Sequence, residues 1–118
     1  MQDIYRIYHN SIGISFQWKR DLNNGKTDII QLVFGNTGFY LTHTEIKEFY
    51  NKVTVAHQLK QCEGCTKQNK CNSYLLQTPS EKVDLSVSEE ELKLITDLIK
   101  GTLFQIELNG YINEICKN

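Results

Sequence analysis

The sequence predicts an α+β fold: a mainly antiparallel sheet with two principal helices packed on one face and a cysteine-rich loop between the two halves. Three observations carry that expectation. Apolar residues recur at every second position in much of the chain before Thr42, and their period lengthens to three and four residues at Thr42 and again near Ser88. Between those two helical patterns lie Cys62, Cys65 and Cys71, three of the chain's 4 cysteines. At 118 residues the chain is long enough for one modest core, so residues 1–118 are expected to form a single domain.

The opening DIYRIYH reads as an edge strand. In IGISFQWK, Ile12, Ile14, Phe16 and Trp18 alternate with Gly13, Ser15 and Gln17, the pattern of a strand that buries one side. Asn24-Gly25 tolerates positive φ and supplies a turn. TDIIQLVF follows, with Ile30, Leu32 and Phe34 on one side and Ile29 and Val33 on the other, so it is the expected central strand. GNTG then turns the chain into the short strand FYL.

THTE places Thr42 three residues before Glu45, where hydroxyl and carboxylate can satisfy the first free amides of a helix reciprocally. Ile46, Phe49, Tyr50, Val53 and His57 then form one stripe. NSYLLQT and KVDLSV, about a Pro79-Ser80 turn, read as a hairpin that joins the sheet. Ser88 with Glu91 offers a second capping box, followed by Leu92, Ile95 and Ile99 at the offset that relates the two boxes. An internal duplication would produce this match, but so would any hairpin, box and amphipathic helix in series. The expected core is Phe16, Trp18, Leu32, Phe34, Ile46, Phe49, Val53, Leu92, Ile95 and Ile99.

The last stretch, GTLFQIELNGYINEICKN, carries two opposed signals. Asn109-Gly110 between alternating residues marks a hairpin, whereas Phe104, Leu108, Tyr111, Ile112 and Ile115 fit a helical stripe. The stripe would bury more than a lone hairpin, so residues 102–115 are expected to be helical. Gly101 costs a helix about 1 kcal/mol and is expected to interrupt it.

The segment IIQLVFGNTGFYLTHTEIKEF resembles a family of small bacterial proteins in which a QLVFGN-type strand, a turn and an LTxxE helix start follow one another. The resemblance spans roughly residues 12–53. Members often carry cysteines on the earlier strand, where this chain has Gln17 and Trp18. The family has no assigned activity, so the resemblance implies a fold type and no reaction.

Cys62 and Cys65 have the C-x2-C spacing that lets two thiolates bind one metal, with Gly64 easing the turn between them, and Cys71 can fold back on the same ion. A structural zinc site takes four ligands. Cys116 is the expected fourth in preference to His57, because thiolate is the usual completion of a three-sulfur set. Simple burial of unliganded thiols is a competing reading, and an iron–sulfur cluster is a third, weakened because Leu75 stands where another cysteine is wanted.

A net charge of −1 offers no strong field for nucleic acid or anionic lipid, and no run is apolar enough for a membrane span. The amino terminus lacks the pattern of a signal peptide, so a cytoplasmic address is expected, where thiols stay reduced. His9, His43 and His57 stand beside no nucleophile motif. Trp18, Tyr5, Tyr8 and Tyr40 read chiefly as sheet packing, with any exposed ring usable for binding. The leading expectation is a non-catalytic module whose cysteine loop, with or without zinc, supports contact with a protein partner. The alternative is a redox or iron–sulfur component, or an enzyme using a reactive thiol.

Overall fold

The computed structural model describes residues 3–58 and 74–116, with side chains as far as Gly110. Chain order is β1 (Ile4–His9), β2 (Gly13–Trp18), α1 (Lys19–Asn23), β3 (Ile30–Phe34), β4 (Thr37–Leu41), α2 (His43–Gln58), β5 (Tyr74–Gln77), β6 (Asp84–Val87) and α3 (Glu89–Cys116). The fold class is α+β.

The first four strands form an antiparallel meander in the order β1-β2-β3-β4. Gly35 at φ 58, followed by Asn36 at negative φ, links β3 to β4 in a two-residue turn that requires glycine at its first central position. The β2–β3 connection departs from the tight turn expected at Asn24-Gly25. Residues 19–23 form the short helix α1, closed by Gly25 at φ 83, with Lys26 N–H bonded to the Asp21 carbonyl and Gly25 N–H to that of Leu22. This is a glycine-terminated helix end.

Strands β5 and β6 pair only with each other among the described residues, forming a separate two-stranded sheet instead of joining the first. The reason is α2: β5 packs along it, and Tyr74, Leu76 and Val87 are buried in the common core. Both capping boxes form. Thr42 N–H donates to Glu45 Oε1 at 2.9 Å and Glu45 N–H to Thr42 Oγ1 at 3.2 Å; the Ser88–Glu91 box matches at 2.9 and 3.1 Å.

Helix α3 runs unbroken for 28 residues, so residues 102–115 are helical as expected and Gly101 makes no interruption. A Cβ at Gly101 would enter the Tyr8 ring, so glycine is there to let β1 approach. Helices α2 and α3 lie antiparallel, with His43 near Glu107 at one end and His57 near Thr96 at the other.

The largest correction concerns β2. Ser15 pairs opposite Leu32 and Gly13 opposite Phe34, so the small residues face the helices, while Ile14, Phe16 and Trp18 face away. Phe16 and Trp18 are therefore half-buried on the uncovered side and lie outside the core. The other expected core residues are buried. Small residues on β2 admit α3: Ser15 and Thr102, both fully buried, meet at 2.7 Å between their hydroxyls. Thr102 gives its proton to the Leu98 carbonyl at 2.6 Å, and the single Ser15 proton is shared between Thr102 Oγ1 and the Tyr8 carbonyl at 3.3 Å.

Candidate binding surface

The meander has an inward face covered by α2 and α3 and an outward face that no described element covers. Strand register arranges the outward face in rows. One row crosses all four strands as Arg6, Phe16, Gln31 and Tyr40; beside it lie Ile4 with Trp18, and on its other side His9, Ile14, Val33 and Gly38. Tyr40 is 75% exposed. Phe16 and Trp18 meet edge to face with centroids 5.2 Å apart, and the Arg20 guanidinium lies 5.6 Å from the Trp18 ring centre. Arg20 also approaches Asp21 at 3.7 Å, while its own side chain stays open to water.

Gln31 is the unusual member. It is 6% exposed, set between two aromatic rings, and its amide has no hydrogen-bond partner among the described residues. Its amide is not sealed from solvent, so it is open to a ligand on this face. No carboxylate stands in any of these rows.

The inward side is held by polar clamps. A bulge at Ile7 sets both Ile7 and Tyr8 against the core. Tyr8 O–H donates to Asp97 Oδ2 at 3.0 Å, and Asn10 Nδ2 donates to the same carboxylate oxygen at 3.0 Å and to the Leu94 carbonyl at 2.8 Å. The Asp97 carboxylate raises the Tyr8 pKa above its ordinary 10.0, chiefly through that hydrogen bond, with burial and charge repulsion adding to it.

A cleft of about 260 Å³ opens where α3 passes the end of the sheet, lined by Tyr5, Gln17, Asp28, Ile30, His43 and Ile106 among others. His43 stands in the first turn of α2 with its side chain 38% exposed, while its Nε2 is buried without a hydrogen bond, 3.5 Å from Glu107 Oε2. His57, at the end of the stripe on α2, is exposed, and its Nε2 lies 2.9 Å from Thr96 Oγ1. Thr96 gives its own proton to the Leu92 carbonyl at 2.6 Å, so His57 is the donor and the pair is no nucleophile and base.

Of the expected metal ligands, Cys62, Cys65 and Cys71 lie outside the described residues, as does the side chain of Cys116. Among the described residues, no three His, Cys, Asp or Glu side chains gather as a metal site, and no helix is long and apolar enough to cross a membrane. The outward face was missed from the sequence because alternation tells which residues share a side, not which side the helices take. The small side chains at Gly13 and Ser15 were the available signal.

No family model, no curated protein and no solved structure matches the chain.

Proposed function

We propose that the chain is a non-catalytic binding module that offers the outward face of its four-stranded sheet to a macromolecular partner, with a structural zinc ion in the cysteine loop. The observation that supports the face is its composition: Phe16, Trp18, Val33, Ile14 and the exposed Tyr40 lie together on a side that no described element covers. Contiguous apolar surface on a folded chain is a contact site more often than an accident. The test is recovery of native chain from cells beside the doubly substituted Tyr40→Ala, Arg6→Gln chain. Macromolecular material held by the first and lost from the second supports the face, provided both unfold at the same urea concentration. Equal retention by both rejects it.

The zinc proposal rests on Cys62, Cys65 and Cys71 and on chain geometry at its fourth ligand. Cys116 ends α3 twenty residues beyond Thr96, roughly 30 Å along a helix axis. His57 stands beside Thr96 near the end of α2, where the cysteine segment begins, and its Nδ1 keeps a free lone pair. Cys116 stays the proposed fourth ligand, with His57 as the alternative. Metal analysis of chain purified without chelator or metal resin should find one zinc per chain, lost in Cys65→Ser together with thermal stability. A brown, iron-containing preparation would replace zinc with a cluster, and metal-free chain would remove the site.

A further inference from the structure

We propose that the occupant of the outward face is a short unpaired stretch of nucleic acid, its bases stacked on Tyr40 and Phe16, one base edge bonded to Gln31, and its phosphates met by Arg6 and Arg20. The inference rests on the reading of this face as a binding surface and names its partner.

Charge supplies the first argument. The chain contains only two arginines, and both are here: Arg6 in the central row and Arg20 against Trp18. No carboxylate stands in the rows and Arg6 makes no ion pair among the described residues, whereas Arg20 lies 3.7 Å from Asp21 at the edge of the face, on a chain whose net charge is −1. The whole-chain value speaks against duplex binding through phosphates alone, and two arginines would give only a shallow salt dependence. Affinity would come from stacking, which needs bases that are already unpaired.

Spacing supplies the second. Phe16 and Tyr40 flank Gln31 in one row, so their backbones are two strand intervals apart, about 9.6 Å. Two bases can occupy the rings with the amide between them. A side-chain amide offers a donor and an acceptor, the pair needed to grip one base edge. The Gln31 amide makes no hydrogen bond among the described residues and is not sealed from solvent, so it is available to a base edge on this face. Gly38, exposed beside Val33, leaves the adjoining row flat.

Area supplies the third. Four strands of about five residues span on the order of 300 Å², well short of the roughly 800 Å² per partner in stable protein interfaces. A second copy docked face to face would bury too little here, whereas two or three nucleotides fit.

Trp18 is the chain's only tryptophan and sits on this face, so its emission reports binding directly. The probe is a twelve-nucleotide single-stranded oligothymidine, titrated at low salt beside a duplex of the same length. Saturable quenching by the single strand, with at least tenfold weaker response to the duplex, is expected. Tyr40→Ala should weaken the single strand about tenfold, the loss of one stacked base. Gln31→Leu should weaken it without changing the salt slope, and Arg6→Gln should flatten that slope by about 0.7. Unchanged Trp18 emission at millimolar nucleotide, or equal affinity of the Tyr40→Ala chain, overturns the proposal. If oligothymidine fails while sedimentation shows self-association that Tyr40→Ala abolishes, the binding face survives with a second copy on it; if both fail, the face reading falls too.

Discussion

Two glycines in α3 separate backbone propensity from packing. Gly110 has nothing within 4 Å of where a Cβ would stand, whereas at Gly101 that atom would enter the Tyr8 ring. Gly110→Ala should therefore stabilise the fold by about 0.5–1 kcal/mol through helix propensity alone. Gly101→Ala should destabilise it despite the same propensity gain, because Tyr8 must leave Asp97 to make room. Urea unfolding of the two single variants checks the opposite signs. Tyr8 also carries a pH signature. Its phenol is held above its ordinary pKa, so the folded state favours the neutral form. That stabilisation is complete below the unfolded value of about 10 and is lost as pH rises through the raised folded value. The stability difference between native chain and Tyr8→Phe should stay constant through neutral pH and shrink above about pH 10. Both residues explain what the sequence could convey. Gly101 read as a helix breaker because propensity is local, and only the ring from β1, more than ninety positions away, shows why glycine belongs there.

At the scale of elements, the readings rooted in adjacent residues held. Both capping boxes are made as spaced, and β1 to β4 lie where alternation placed them, with β3 interior. Removing either box hydroxyl, Thr42→Ala or Ser88→Ala, should cost about 1 kcal/mol by thermal or urea unfolding, with the double variant close to additive because the two helix starts share no bond. What failed needed knowledge of a neighbour. Alternation in β2 identified one apolar side, yet the helices lie against Gly13 and Ser15 because large side chains would hold α3 away from Thr102. The second hairpin reads the same whether it extends the meander or stands alone, and α2 decides that by covering it. The stripe in residues 102–115 correctly outweighed the Asn-Gly signal. The outward face, the candidate site itself, was legible as a set of residues but was assigned to the wrong side.

Across the whole molecule, one apolar cluster takes residues from the meander, from α2, from the second hairpin and from α3. Helix α3 packs against β1, β2 and α2. The bonds from Tyr8 and Asn10 to Asp97, and from Ser15 to Thr102, join residues 87 to 89 positions apart. These clasps have a consequence in time. The meander can form from neighbouring segments soon after they leave the ribosome, and α2 brings Phe49 against Phe34, but the inward side of β1 and β2 stays open to water until α3 has been made and has closed on them. Closing so long a loop is slow relative to hairpin formation, and an uncovered sheet is prone to associate. A chain stopped before Ser88 should keep strand signal by circular dichroism but sediment as aggregate, and adding residues 88–118 in trans should recover soluble material. Recovery by a peptide carrying Gly101→Ala should be weaker, since the added Cβ would meet the Tyr8 ring where α3 seats on β1.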